Sequence, residues 1–288
     1  MPKSLANALW RIYNRPQRPI PWAYGGNLPW DDAEFSKRML REHLSQDHGA
    51  ASRKDEERTQ QLRWIKEKLG IKMGDYILDV TCGPGLYSVA LAEAGCRVDG
   101  VDFGPAAIDH AKQLADERQV KDRVTFFEAN VLTWEFPQTQ YDHALLLYGQ
   151  IAVMSRDEAQ ALLTNIQQAL KPGGKLVVEL LNQDEVDKKD SNWWYTDTQR
   201  LWGDAPFLLL GERQWYADEA LSMERFHVVH LESGQLDEVI LCDQTYAVDE
   251  MLAKMKRAGF GPVTAYPKWD GVPLYDAYEW VVYVAEKE

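Results

Sequence analysis

Cysteine is scarce: Cys82, Cys96 and Cys242 are the only three in 288 residues, an odd count without the spacing of a disulfide framework. That scarcity excludes a small secreted scaffold and fits a reducing compartment. No apolar run approaches the ~18 residues that would suggest a membrane-spanning helix. Ser4–Trp10 is too short and too interrupted for a signal-peptide core. Repeats and low-complexity tracts are missing too. Positive charge is in deficit, with 32 Lys and Arg against 45 Asp and Glu and a formal net charge of −13. Such a chain is a poor candidate for holding extended nucleic acid through its phosphates. One local exception exists: the first 20 residues carry Lys3, Arg11, Arg15 and Arg18 and no acid. This basic arm reads as solvated or packed on the acidic body, with RNA contact the weaker alternative. The chain is expected to be soluble and cytoplasmic, with no membrane partner, and nothing in it bears on oligomeric state.

What is present points to a globular enzyme-sized body: 45% hydrophobic residues and 11 Trp. Residues 15–30, "RPQRPIPWAYGGNLPW", read as an irregular arm packed through its rings. Helical spacing then covers Asp31–Gln46 and Asp55–Leu69. Strand-like runs follow at Tyr76–Val80, Arg97–Val101, Val124–Glu128, Ala144–Tyr148 and Lys175–Leu181, with helices between most of them. One of these helices starts at Pro105, and another opens with Ser155 and Glu158 in capping-box spacing and stops at "KPGG", Lys171–Gly174. The alternation predicts an α/β fold with a doubly wound, mainly parallel sheet. After Leu181 comes a polar, aromatic stretch. Three antiparallel strands then follow at Phe207–Tyr216, Leu221–Leu231 and Leu236–Tyr246, a helix near Val248–Ala258 and a closing strand pair. The expected division is an N-terminal arm and helical cap (1–70), an α/β core (71–181), an antiparallel insertion (182–246) and a C-terminal helix with a strand pair completing the core sheet (247–288).

The glycine turn in "ILDVTCGPGLYS" follows a buried strand, as nucleotide-holding loops do. A pyrophosphate suits it poorly. Pro84 has no N–H to donate, Asp79 brings a carboxylate, and Ser88 stands where a dinucleotide loop wants its third glycine. A carboxylate at that point suits a cationic amine instead. Asp102, ending "VDGVDFG", is placed to accept from two vicinal ribose hydroxyls. In "FFEANV", Asn130 offers an acceptor for an exocyclic amine, and the Val131 N–H a donor for a ring nitrogen.

Together "ILDVTCGPG", "VDGVDFG", "FFEANV", "YDHALLLYG" and "LKPGGKLVVEL" resemble the ordered motifs of class I S-adenosylmethionine-dependent methyltransferases. The resemblance covers Tyr76–Leu181 and implies a Rossmann-like, seven-stranded sheet with S-adenosyl-L-methionine as cofactor. It implies that Asp79, Gly83 and Gly85 line the methionine part, that Asp102 binds the ribose, that Asn130 and Val131 hold the adenine, and that Thr81 and Phe103 also contact the cofactor. Many members carry Asp where this chain has Asn130. Tyr148 would stand near the methyl group, as pocket wall or substrate contact. The late antiparallel strands resemble those that roof the pocket of small-molecule methyltransferases.

Arg41–Arg53 gathers His43, Asp47, His48 and Arg53 ahead of the core. In the resembling family such a segment closes over the cofactor and an Arg there pairs with its carboxylate; the plain alternative is a helix end and a solvated loop. His43, His48 and Tyr148 are the candidate general bases for a hydroxyl or carbon acceptor. No metal requirement is expected, because the fourth strand ends Tyr148-Gly149-Gln150 without a carboxylate and Asn182 with Asp184 is an incomplete ligand set. Cys82 reads as a small apolar filler. Trp193, Trp194, Tyr195 and Trp202 form either a lid for a planar or cationic substrate or ordinary core. The expected activity is methyl transfer to a small-molecule N, O or C acceptor. The alternatives are an RNA or protein methyltransferase, a non-catalytic cofactor sensor, and a nicotinamide oxidoreductase, which the charge of the loop disfavours.

Overall fold

A computed structural model describes residues 4–23, 25–49 and 51–288; Lys3 of the basic arm, Tyr24 of the aromatic arm and Ala50 of the 41–53 segment lie outside the described residues. The helices are α1 (Leu5–Tyr13), α2 (Ala33–Leu44), α3 (Asp55–Leu69), α4 (Leu86–Glu93), α5 (Pro105–Glu117), α6 (Arg156–Ala169) and α7 (Val248–Arg257). Strands of the core are β1 (Tyr76–Val80), β2 (Arg97–Asp102), β3 (Val124–Glu128), β4 (Tyr141–Leu146) and β5 (Leu170–Leu181). Later strands are β6 (Ser191–Asp197), β7 (Phe207–Tyr216), β8 (Leu221–His230), β9 (Leu236–Gln244), β10 (Val263–Pro267) and β11 (Trp280–Glu286).

Two units form. The larger takes Trp30–Ala152, Arg156–Val186 and Tyr246–Glu288. Its sheet runs β10-β11-β5-β4-β1-β2-β3, with β3 to β5 parallel and β11 and β10 antiparallel. Ile77, Leu78, Leu145 and Val177 are fully buried, as strands covered on both faces require. Local chemistry sets the helix ends. Three acids (Asp55, Glu56 and Glu57) open α3, Lys66 and Lys68 lie in its last turn, and left-handed Gly70 stops it. Pro105 opens α5. Because β1 sends its connections outward on both sides, a crevice lies at the carboxyl ends of β1, β2 and β4.

The smaller unit takes Met1–Pro29, Val153–Ser155 and Asp187–Thr245. The expected 1–70 cap is therefore not one body: residues up to Pro29 group with the later strands, and α2 and α3 with the core. The four-stranded antiparallel sheet β6-β7-β8-β9 buries one face beneath α1 and the following arm, where Ala8 and Ile12 meet Leu208, Val229 and Leu236. The basic arm is packed on acid: Arg15 shares Glu212 with Arg225, and Arg18 donates to the Trp215 carbonyl at 2.6 Å. Neither α1 nor β6 stood out in the sequence. β6 reads as polar, yet Trp193 and Tyr195 alternate inward onto Phe226 and Phe207 while Trp194 stays exposed. Gly211 makes room for this, since a Cβ there would lie 2.1 Å from the Trp193 ring. Trp193, Tyr195 and Trp202 thus pack, partly buried, against the core of this unit.

Two core strands also shift from expectation. β4 ends at Leu146, leaving Tyr148 beyond it at φ 59°. β5 already pairs at Leu170, directly after α6 ends at Ala169, and the register slips between Tyr141 and His143, so "KPGG" falls within the start of a strand.

Candidate functional site

The loop after β1 is held by its own acids. Gly83 N–H donates to Asp102 Oδ2 at 2.9 Å, and Gly104 N–H to Asp102 Oδ1 at 2.8 Å. Each oxygen keeps a second lone pair, enough to accept from two hydroxyls. Burial raises the Asp102 pKa, and the two backbone N–H groups oppose the rise. Ser88 is a partner and not a missing glycine: its Oγ donates to Asp79 Oδ2 at 2.5 Å. Burial pushes Asp79 from 3.8 up to about 7, against the Ser88 hydrogen bond and with the Asp102 charge.

Two adjoining clefts occupy the crevice. One, of about 450 Å³ including its mouth, is lined by Thr81, Gly83, Asp102, Phe103 and Gly104 from the strand ends. Trp30, Ser36, Met39 and His43 line it from α2 and the segment before it, with Ala107 and Gln150. The other, of about 480 Å³, adds Asp79, Cys82, Pro84, Tyr87, Leu147 and Tyr148, with Ala51, Ser52 and Arg53. Thr81, Gly83, His43 and Gln150 line both. A carboxylate with spare lone pairs in the first cleft and a buried carboxylate held by Ser88 in the second suit the ribose and ammonium groups of S-adenosylmethionine. The donor set fits that cofactor.

Other expected positions fall elsewhere. Gly85 lines neither cleft; at φ 75° it caps α4, and a Cβ there would lie 2.7 Å from Ala111 Cβ and 2.9 Å from Phe126. Asn130 and Val131 are also absent from both walls. Asn130 is exposed, its Oδ1 accepts the Leu132 N–H at 2.9 Å, and its carbonyl accepts from Thr133 and Trp134; Val131 is buried. An Asn that closes its own turn has its acceptor engaged locally, which accounts for the difference.

Arg53 lines the second cleft, but its guanidinium is committed to Glu179 at 3.0 Å and to Asp276. It also stacks over Tyr148 and Trp280 at 5.1 and 4.9 Å. Burial works against its charge, and Glu179 and then Asp276 outweigh burial to raise its pKa. Two carboxylates already balance it, so it is poorly free to pair with a third. Tyr148 donates its hydroxyl to the Gly49 carbonyl and stacks on Trp280 at 5.5 Å. Burial lifts its pKa to about 12, which unsuits it as a general base. His43 Nδ1 lies 2.8 Å from Ser52 Oγ, and burial lowers its pKa to about 4, so the imidazole is neutral. His48 sits beyond the end of α2, 3.2 Å from Glu42, and lines neither cleft. Among the described residues, no group of three or more His, Cys, Asp or Glu is placed to hold a metal ion.

The sequence reading missed Glu179, Trp30, Ser36 and Gln150. Glu179 alone carried a signal, an acid inside the apolar run "LVVELL" with no exposure in the structure.

Residues 77–174 match the family described as "Methyltransferase domain". The chain is 31% identical over 122 residues to a ubiquinone biosynthesis O-methyltransferase of Coxiella burnetii, covering 42% of this chain and 50% of that protein. It is 33% identical over 148 residues to a demethylmenaquinone methyltransferase of Lactiplantibacillus plantarum, covering 49% and 61%. The chain thus spans about half the length of the first relative. The solved CcbJ methyltransferase of Streptomyces caelestis shares the fold, with TM-score 0.64 and 17% identity over 88% of this chain and 97% of that one. Over residues 77–174 the chain is thus similar to methyltransferases in sequence, and it shares their fold.

Proposed function

We propose that the chain moves the methyl group of S-adenosylmethionine to a small-molecule acceptor. The observation that carries this is the pair of carboxylates at the switch point, Asp102 bound to the Gly83 and Gly104 N–H groups and Asp79 bound to Ser88. The cofactor, when bound, supplies an electrophilic methyl; the acceptor displaces it in line, sulfur keeps the electron pair, and the acceptor loses a proton. The remaining work is alignment and exclusion of water by the chain. Asp102 takes the ribose hydroxyls, Asp79 the ammonium, and Thr81, Gly83 and Phe103 the surface between.

Neither His43, at about 4, nor Tyr148, at about 12, holds a proton affinity near neutrality. This supports an acceptor that needs little help in losing its proton: an amine, or an acidic hydroxyl such as that of a quinol or phenol. The name of one relative, a ubiquinone biosynthesis O-methyltransferase, supports the second class. A net charge of −13 supports a small acceptor over RNA. Three free, buried cysteines support a reducing, cytoplasmic setting, and no helix among the described residues is long and apolar enough to cross a membrane.

The test is transfer of a labelled methyl group to panels of hydroquinones, phenols and amines, with RNA and basic peptides run beside them. Label on the small acceptors is expected. Label on RNA or peptide alone, or on nothing despite tight cofactor binding, overturns the proposal.

A pH dependence follows from Asp79. Its folded pKa is raised, so the folded state holds a proton that the unfolded chain releases near 3.8. The stability this contributes is lost as pH rises toward about 7. A cationic ligand needs the ionised form. Affinity for S-adenosylhomocysteine is therefore expected to fall about tenfold per pH unit below 7 and to level above it. Calorimetric titrations from pH 5.5 to 8.5 check this: Asp79→Asn should flatten the profile, and a flat wild-type profile contradicts the assignment.

A further inference from the structure

We propose that Glu179 is a positioning residue that sets the shape of the cofactor cleft from behind its walls, an inference that rests on the function proposed above. Glu179 is fully buried near the end of β5 and lines neither cleft. Its Oε2 accepts the backbone N–H of Tyr148 at 2.8 Å, and its own carbonyl accepts the N–H of Gly149 at 3.2 Å. Both residues have left-handed backbones, at φ 59° and 69°. For a tyrosine that conformation is unfavourable and persists only when its surroundings hold it. Glu179 is what holds it.

The other oxygen, Oε1, accepts from Arg53 at 3.0 Å and from Trp269 Nε1 at 2.8 Å. Arg53 ends the short segment whose Ser52 fixes the His43 imidazole. One carboxylate therefore ties together two walls that are distant in sequence: Tyr148, and the 51–53 segment with His43 behind it. Its charge also balances a guanidinium that burial would otherwise disfavour. Glutamine has the same shape but an amide nitrogen in place of one oxygen, so either Tyr148 N–H or Arg53 and Trp269 must lose their acceptor. Aspartate keeps the charge beside Arg53 yet is one methylene too short to serve both sides.

The experiment measures S-adenosylhomocysteine affinity by calorimetry, with melting curves, for wild type, Glu179→Gln, Glu179→Asp and Trp269→Phe. The last removes one hydrogen bond to Glu179 and touches neither wall. Both Glu179 variants are expected to bind about tenfold more weakly or worse while still folded, whereas Trp269→Phe melts lower and keeps its affinity within about twofold. Glu179→Asp retains the buried charge and carries the test if Glu179→Gln does not fold. Unchanged affinity in the folded Glu179 variants overturns the proposal, as does a Trp269→Phe loss equal to theirs, which would mark a merely structural role. Failure of the wild type to bind overturns the underlying function instead.

Discussion

Asp102→Ala is expected to weaken S-adenosylhomocysteine binding by about 100-fold or more. The carboxylate offers two acceptors to the cofactor, and hydrogen bonds to charged groups are worth about 1.5–3 kcal/mol each, so losing both reaches that range. A second cost follows from the structure. The same oxygens hold the N–H groups of Gly83 and Gly104, so alanine also leaves two backbone donors without their partner. The ligand side alone would leave the fold untouched. The two hydrogen bonds instead imply a lower melting temperature in the apo protein and a loosened loop. Asp102→Asn keeps one oxygen and should fall between wild type and alanine on both readouts. Calorimetry and thermal melts together check this, and an alanine variant that binds like wild type removes Asp102 from the site.

Gly85→Val is expected to lower stability by about 2–6 kcal/mol. A left-handed backbone at a residue with a Cβ costs about 1–3 kcal/mol, and overpacking a filled core adds about 1–3 kcal/mol. Both apply: φ is 75°, and the new atom would meet Ala111 and Phe126, neither of which can swing away as a long polar side chain would. Urea melts by linear extrapolation measure the loss, and a change under about 1 kcal/mol contradicts the packing argument. Gly83→Ala is the instructive contrast. There a Cβ would find only the His43 ring, at 3.7 Å, so the intrusion falls on the cleft and not on the core. The two glycines of one short motif thus serve different ends, Gly83 the ligand surface and Gly85 the seat of α4.

Legibility followed locality. α3, β1 and β3 were read to their observed ends, and α5 to its start, because acids, Pro105, glycines and apolar runs mark them within a few residues. Asp79, Gly83 and Asp102 were legible for the same reason, since one loop and the next strand end carry them. β6 was hidden because an exposed ring, Trp194, stands between the inward Trp193 and Tyr195 and masks the alternation, which only the partner strand β7 reveals. Arg53 was misjudged because its partners lie 126 and 223 residues away in the chain. At Asn130 the competing interaction is local: its own turn engages the acceptor that a ligand was expected to use. Tyr148 and His43 line a cleft, but their protonation depends on burial, which spacing does not report.

The most direct measurement is titration calorimetry of the wild-type chain at pH 7.5 with S-adenosylhomocysteine and, separately, with NADH. A saturable heat with one S-adenosylhomocysteine per chain, absent for NADH and largely lost in Asp102→Ala, is the predicted result. No heat with S-adenosylhomocysteine, or NADH displacing it from the same cleft, would contradict the account.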